Sequence, residues 1–133
     1  MQTGGKSSRR VLVVDDDRGI ADSLQTILAI AGYDCIATYS ASEAIRLVST
    51  FMPHLVISDV VMPGMTGIDL ASTLRGSNPS LPVILLSGNA ATEELLVQAG
   101  EGLGSVLVLA KPYSPRKLLR IVAEITELTQ SAD

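Results

Sequence analysis

At residues 55–64 the chain reads Leu55-Val56-Ile57-Ser58-Asp59-Val60-Val61-Met62-Pro63-Gly64, an apolar run that ends in a carboxylate and passes into a loop. A short, continuous apolar run is typical of a strand that is buried on both faces of a parallel sheet. Proteins with such sheets carry their chemistry in loops beyond the carboxyl ends of the strands. This stretch therefore predicts an α/β fold with a functional site at Asp59.

Four other apolar runs of similar length occur along the chain, and each is followed by a segment with helical patterning. The five predicted strands cover residues 11–14, 35–38, 55–58, 83–86 and 106–109. Strands that alternate with helices form right-handed crossovers and a doubly wound, five-stranded parallel sheet with helices on both faces. We expect one domain at residues 11–130, between a disordered tail at residues 1–10 and a short tail at residues 131–133.

Several helix ends are marked by the residues that usually cap helices. The first helical segment stops at Gly32, a residue suited to the left-handed conformation that follows many helices. Ser40 and Glu43 have the spacing of a capping box at the start of the second segment. Thr66 and Ser114 are placed as N-terminal caps of the third and the last helix.

Composition and charge narrow the class of protein. Although 47% of the 133 residues are hydrophobic, no apolar run approaches the roughly 20 residues of a membrane span, and the start lacks an apolar signal core. We expect a cytoplasmic protein with no membrane contact. From Val11 onward, seven basic residues face fourteen acidic ones, and there is no Trp, which argues against a nucleic-acid-binding surface. Cys35 is the only cysteine, so no internal disulfide can form.

Polar side chains follow four of the predicted strands, at the edge of the sheet where their carboxyl ends meet. They are Asp15, Asp16, Asp17, Asp59, Ser87 and Lys111. Carboxylates that are brought this close repel one another unless a cation shares the site, and Mg²⁺ is the ion that pairs carboxylates with phosphate oxygens. We expect phosphoryl transfer, with Asp59 as nucleophile, Lys111 as a fixed cation, and Ser87 as a hydrogen-bond donor to the phosphoryl group.

These residues occur within motifs that together resemble the receiver domain of two-component response regulators. The motifs are Val-Val-Asp-Asp-Asp at residues 13–17, Asp59 followed by Met62-Pro63-Gly64, Ser87-Gly88, and Lys111-Pro112. The resemblance covers about residues 11–129. Each motif is weak by itself, but the combination is highly specific.

The resemblance implies a flavodoxin-like strand order of 2-1-3-4-5 and assigns a role to each site residue. Asp59 is the phosphoacceptor, and Asp16 and Asp59 bind Mg²⁺ directly together with the backbone carbonyl of Val61. Asp15 acts on the ion through water, and Asp17 lies outside the site. In this family a sensor histidine kinase or a phosphotransfer protein donates the phosphoryl group. The protein is then a phosphoprotein in a phosphorelay and not a conventional enzyme.

Two departures from the family pattern concern the face formed by the fourth helix, the fifth strand and the fifth helix, which reports phosphorylation. Val108 stands where the family often has Tyr or Phe, so a switch by an aromatic rotamer is not expected. Gly100, Gly102 and Gly104 make the segment before the fifth strand glycine-rich, which predicts a flexible loop.

The sequence leaves other interpretations open. The Asp15-Asp16-Asp17 run also resembles haloacid-dehalogenase-type phosphatases, with Asp15 as nucleophile and Asp17 as the acid, but this leaves Asp59 unexplained. A flavin-binding relative is disfavoured because an acidic first loop repels a phosphate. The acids could also serve only to cap the first helix. A further alternative is a receiver-like module that binds partners without phosphorylation.

The fifth predicted helix ends near Thr129, and only four residues follow it. We therefore expect a stand-alone receiver whose output passes through contacts with a downstream protein, unless the chain is a piece of a longer regulator.

Overall fold

The computed structural model describes residues 9–88 and 106–131. Five parallel strands form one sheet in the order β2-β1-β3-β4-β5, which confirms the predicted fold class and strand order. The strands are β1 (Arg10–Val14), β2 (Asp34–Thr38), β3 (Leu55–Asp59), β4 (Val83–Ser87) and β5 (Val106–Ala110). Each strand is one residue longer than its predicted apolar run.

Four helices fall within the described residues: α1 (Arg18–Ile30), α2 (Ala41–Phe51), α3 (Gly67–Ser77) and α4 (Pro115–Ser131). Helix α4 is the fifth helix of the sequence-based prediction and extends two residues beyond Thr129, so Ser131 is helical and not part of a tail. The predicted helix between β4 and β5 and the glycine-rich segment at residues 100–104 lie outside the described part of the chain.

Strand β1 begins at Arg10, which the sequence-based prediction placed in the N-terminal tail. The backbone carbonyl of Arg10 accepts a hydrogen bond of 2.8 Å from the His54 N–H, and the Arg10 N–H donates to Nδ1 of His54 at 2.9 Å. The backbone of Arg10 is therefore satisfied by the start of β3, and the strand extends by one residue. The rest of the predicted tail, residues 1–8, is not described.

The sheet is covered on both faces, and this explains the continuous apolar runs. Successive residues of β3 point to opposite faces, so Val56 packs toward α2 and α3 while Ile57 packs toward α1 and α4. Helix α3 contributes Leu70 to the first core, and α4 contributes Leu118 to the second. Each such side chain stabilises the fold by about 1.5–3 kcal/mol on full burial. Among the described helices, none is both long enough and apolar enough to cross a bilayer.

The predicted helix ends are confirmed. Gly32 has a φ of +104° and follows α1, where the Tyr33 N–H donates to the Leu28 carbonyl at 3.0 Å. Thr66 accepts from the Asp69 N–H at 3.1 Å at the start of α3, and Ser114 caps α4 in the same way.

The cap of α2 differs in one respect from a capping box. Ser40 Oγ accepts from the Glu43 N–H at 3.2 Å, as expected. The Glu43 carboxylate does not return to Ser40 but accepts from the Tyr39 N–H and from Oγ1 of Thr38. Because Thr38 is buried at the end of β2, this cap also ties the helix to the sheet.

We expect Ser40→Ala to lower the free energy of unfolding by about 1 kcal/mol, because the Glu43 N–H then loses its acceptor. Urea denaturation measures the change. Ser49→Ala is the matched control, since the exposed Ser49 hydroxyl only donates back to the Arg46 carbonyl within the same helix. That variant should be neutral or slightly stabilising, and an equal loss in both variants would contradict the capping role.

Candidate functional site

The predicted site residues lie at one edge of the sheet, where β1, β3, β4 and β5 end. In three of the loops the backbone hydrogen bonding continues one residue past the strand, so the loop is tied to the neighbouring strand. These hydrogen bonds run from the Asp15 N–H to the Thr38 carbonyl (3.1 Å), from the Val60 N–H to the Leu86 carbonyl (3.2 Å), and from the Lys111 N–H to the Ser87 carbonyl (2.8 Å).

Three carboxylates converge at this edge. Asp15, Asp16 and Asp59 each place a carboxylate oxygen within 4.8 Å of the others, and we call these three residues the acid cluster. Asp15 is buried, Asp59 is half-buried and Asp16 is exposed. The cluster therefore opens to solvent on the side of Asp16, as a site for an ion or a substrate requires.

Asp15 has the least favourable surroundings of the three residues in the acid cluster. Its Oδ1 accepts from the Asp17 N–H at 2.9 Å, but its Oδ2 is buried without a hydrogen-bond partner among the described residues. Burial, more than the nearby Asp59 and Asp16 charges, raises the pKa of Asp15 to about 6. A buried carboxylate oxygen without a donor next to two further carboxylates fits a hard cation such as Mg²⁺.

Asp59 is held by two donors on the same oxygen. Lys111 Nζ lies 3.0 Å from Oδ1 of Asp59, and the Val60 N–H donates to the same Oδ1 at 3.0 Å. The two side chains are 30% and 15% exposed, so this ion pair is only partly screened by water. Because both of these bonds go to Oδ1, they leave the Oδ2 side of the carboxylate for an approaching reactant.

Ser87 and Val61 complete the set of predicted residues at this edge. Ser87 is the last residue of β4, is buried, and follows Leu86, the residue of β4 that pairs with Asp59. Val61 lies in the loop after Asp59, with its side chain 53% exposed. The predicted roles of Ser87 as a donor and of the Val61 carbonyl as a metal ligand remain predictions.

Asp17 lies outside the acid cluster. Its Oδ1 accepts from the Ile20 N–H at 3.2 Å and caps α1, so the cap requires only one of the three consecutive acids. This arrangement does not favour the phosphatase interpretation, in which Asp17 acts as the acid. It equally does not favour a purely capping role for Asp15 and Asp16.

Gly67 is a site residue that the sequence analysis missed. It is the first residue of α3, its N–H donates to the Val60 carbonyl at 2.8 Å, and a Cβ at this position would lie 2.2 Å from the backbone oxygen of Asp59. The start of α3 can therefore approach the backbone of Asp59 and Val60 only because the residue has no side chain. The signal for this role was a glycine as the first helical residue after the cap Thr66, because almost any other residue favours a helix more than glycine does.

Tyr113 is the second residue that was missed. It is half-buried after Lys111-Pro112 and packs against the core between the sheet and helices α1 and α4. Burial and, secondarily, the charges of Asp15 and Asp59 raise the pKa of the Tyr113 hydroxyl. The phenol therefore lies within the electrostatic field of the acid cluster.

Comparisons with known proteins agree with this geometry. Residues 11–123 match the family model described as "Response regulator receiver domain". Among curated proteins, the chain is 37% identical over 114 residues to the response regulator protein FleR of Pseudomonas aeruginosa, covering 86% of this chain and 24% of that protein. It is 33% identical to the alkaline phosphatase synthesis transcriptional regulatory protein PhoP of Bacillus subtilis, covering 94% of this chain and 51% of that protein. The chain thus spans about a quarter to a half of the length of these relatives.

Solved structures show the same fold. A CheY-like receiver domain protein from Methanospirillum hungatei superposes with a TM-score of 0.82 at 28% identity, covering 96% of this chain and all of that one. The chemotaxis response regulator CheY4 of Vibrio cholerae superposes with a TM-score of 0.77 at 28% identity, covering 90% and 99% of the two chains. By its sequence match, its strand order and its acid cluster, this chain belongs to the response regulator receiver domain family.

Proposed function

We propose that the chain is a phosphoacceptor in two-component signalling, in which Asp59 receives a phosphoryl group from a sensor histidine kinase or a phosphotransfer protein. The observation that carries this proposal is the position of Asp59, which belongs to an acid cluster and is paired at 3.0 Å with Lys111. Such a pair offers a nucleophilic carboxylate next to a fixed positive charge. These are the groups that phosphoryl transfer to a carboxylate needs.

The reaction forms an acyl phosphate on Asp59. A carboxylate oxygen of Asp59 attacks phosphorus, the bond between phosphorus and the donor's imidazole nitrogen breaks, and its electron pair leaves with the imidazole. Lys111 exchanges its contact with Oδ1 of Asp59 for a contact with a phosphoryl oxygen. Ser87, at the end of the adjacent strand, donates a hydrogen bond to another phosphoryl oxygen.

The residues present fit a magnesium ion, because the acid cluster brings three carboxylates together and leaves Oδ2 of Asp15 buried without a donor. We propose that Asp16, Asp59 and the Val61 carbonyl hold the ion directly and that Asp15 acts on it through water. When bound, Mg²⁺ neutralises charge on the carboxylates and on the incoming phosphoryl oxygens. Asp15 and Asp16 position the ion, and Asp59 alone forms the covalent bond.

We place this protein in the cytoplasm, with a downstream protein as its output partner and without a direct role in binding nucleic acid. The excess of acidic over basic residues in the folded part supports contacts with proteins over contacts with phosphate backbones. We do not expect turnover of an external substrate as in a conventional enzyme.

Intact mass spectrometry tests the proposal with acetyl phosphate as a donor that bypasses the kinase. In the presence of Mg²⁺ the wild type should gain one phosphoryl group, and removal of Mg²⁺ by EDTA should prevent the gain. Asp59→Asn should gain none. Asp69→Asn is the control, because this exposed acid lies in the first turn of α3 and not in the acid cluster.

The remaining outcomes separate the alternatives. A wild type that binds Mg²⁺ but gains no phosphoryl group would favour a phosphorylation-independent interaction module. A gain that persists in Asp59→Asn but disappears in Asp15→Asn would favour the phosphatase-like chemistry.

A further inference from the structure

An open cavity lies between α1 and the connection that joins β5 to α4. Its volume is about 720 Å³, and its walls include Ile20, Leu24 and Ile27 of α1 together with Lys111 and Tyr113 of the connection. We call it the α1 cavity. Since Lys111 also pairs with Asp59, one residue of the wall belongs to the phosphoacceptor site. Lys111 therefore connects the α1 cavity to Asp59.

Tyr113 differs from the other aromatic side chains in its surroundings. The chain has one Phe, three Tyr and no Trp. The Tyr39 hydroxyl donates to Asp22 at 2.7 Å, and the Arg18 guanidinium lies 4.1 Å from the centre of its ring. Phe51 packs against the core on the α2 side and carries no polar group. Tyr33 packs against the core but does not line the α1 cavity. Tyr113 alone lines this cavity and has a hydroxyl whose pKa is raised by burial and then by the charges of Asp15 and Asp59.

A side chain at the border between a packed core and an open cavity can change its rotamer without displacing packed atoms. Tyr113 has this position, because its ring packs against the core while the α1 cavity provides free volume beside it. Its polar end responds to charge, since an O–H dipole is attracted by bare carboxylates. A bound cation or a phosphoryl group changes that charge, and so provides the differential interaction that any conformational shift requires.

We propose that Tyr113 couples the charge state of the acid cluster to the shape of the α1 cavity. The ring takes one position when the carboxylates of Asp15 and Asp59 are uncompensated and another when the site is neutralised or phosphorylated. The hydroxyl is the part that senses the charge, and the ring is the part that reshapes the cavity. This inference deepens the phosphoacceptor function proposed above and rests on it, because it gives the reaction at Asp59 a second readout on the α1 side of the sheet.

Nuclear magnetic resonance of protein labelled with ¹³C at tyrosine Cζ tests the inference. The spectrum has one signal for each of the three tyrosines, and Tyr→Phe variants assign them. The first comparison is between wild type and Asp59→Asn without any ligand, because this substitution removes one negative charge from the acid cluster. We expect the Tyr113 signal to move by more than its linewidth while the Tyr33 signal stays in place. Leu24 and Ile27 line the same cavity as Tyr113, and we expect the nuclear Overhauser intensities between their methyl groups and the Tyr113 ring to change.

Tyr113→Phe is the variant that separates sensing from packing, because it keeps the ring and removes the hydroxyl. Its ring contacts to Leu24 and Ile27 should no longer respond to Asp59→Asn. In the wild type, addition of Mg²⁺ and then of acetyl phosphate should move the Tyr113 signal further.

The inference is overturned if the Tyr113 signal is the same in wild type and Asp59→Asn, or if it moves while the ring contacts stay unchanged. It is also overturned if the ring of Tyr113→Phe responds as the wild-type ring does. A failure of the phosphoacceptor function is recognised separately, by an intact mass that shows no phosphoryl gain. The comparison with Asp59→Asn decides the role of Tyr113 in either case, since it needs neither metal nor phosphoryl donor.

Discussion

Asp15→Asn should stabilise the metal-free protein by about 2 kcal/mol at pH 7.5. Burial raises the pKa of Asp15 from 3.8 to about 6, and one pKa unit corresponds to about 1.4 kcal/mol, so the ionised carboxylate costs the folded state about 3 kcal/mol. The amide of Asn keeps an acceptor for the Asp17 N–H, but its NH₂ group takes the place of the buried Oδ2 without a partner, which offsets about 1 kcal/mol. Urea denaturation in EDTA measures the difference.

The effect of Asp15 on the stability of the folded state depends on pH, and the direction of this dependence follows from its raised pKa. The folded state binds the Asp15 proton more tightly than the unfolded state does. The contribution of Asp15 to the stability of the wild type is therefore fully present below pH 3.8 and is lost as the pH rises through about 6. The advantage of Asp15→Asn should therefore shrink by about two-thirds at pH 5. An advantage that is the same at both pH values would contradict the burial argument. Asp34→Asn, at an exposed position on β2, is the control and should stay within about 0.5 kcal/mol of the wild type.

The same substitution should weaken the binding of Mg²⁺. Loss of a carboxylate that supports the ion is expected to reduce its affinity by about tenfold or more. Mg²⁺ should then raise the melting temperature of the wild type more than that of Asp15→Asn, because a ligand stabilises the folded state according to its affinity. If Asp15→Asn were less stable than the wild type without metal and responded equally to Mg²⁺, Asp15 would be a structural residue only.

Gly67→Ala should lower the free energy of unfolding by about 3 kcal/mol and the melting temperature by about 10 °C. The new Cβ would lie 2.2 Å from the backbone oxygen of Asp59 and 3.0 Å from Cα of Val60. Both atoms lie where β3 passes into the following loop, and the Val60 N–H at this point donates to the Leu86 carbonyl of β4. They therefore cannot move away without loss of that hydrogen bond. The displaced loop should also take up phosphoryl groups from acetyl phosphate more slowly.

Gly76→Ala provides a matched control within the same helix. A Cβ at Gly76 meets nothing within 4 Å, and the residue is exposed in α3. This substitution should leave phosphoryl uptake unchanged and increase stability by up to about 1 kcal/mol, because alanine favours the helix over glycine. Equal melting temperatures for Gly67→Ala and wild type would show that α3 can shift to accept the side chain, and that Gly67 does not hold the loop.

The parts of the site that the sequence predicted are those that follow from local signals. Asp59 and Lys111 were predicted to lie close together because apolar runs fix where strands end, and a parallel sheet brings those ends to one edge. Asp17 was predicted to lie outside the metal site, and its side chain caps α1. In such cases the position of a residue at the end of a strand or a helix was sufficient to predict where its side chain lies.

The parts that the sequence did not predict depend on how separate elements approach one another. Gly67 matters because α3 starts against the backbone of Asp59, and nothing in the third helix alone reveals that approach. Tyr113 matters because the β5 to α4 connection lies beside α1, which depends on tertiary packing. Likewise, the carboxylate of Glu43 binds Thr38 and Tyr39 because β2 ends next to the start of α2.

The ion pair between Lys111 and Asp59 spans 52 residues, and β5 lies at the edge of the sheet. Local fraying of an edge strand is less costly than unfolding of the whole domain, as amide hydrogen exchange detects in many proteins. If β5 opens, the lysine departs while the acid cluster, held by β1 and β3, remains. Under the proposed function, competence for phosphorylation would follow the integrity of one edge strand, and a destabilised chain would lose that competence before it loses its global fold.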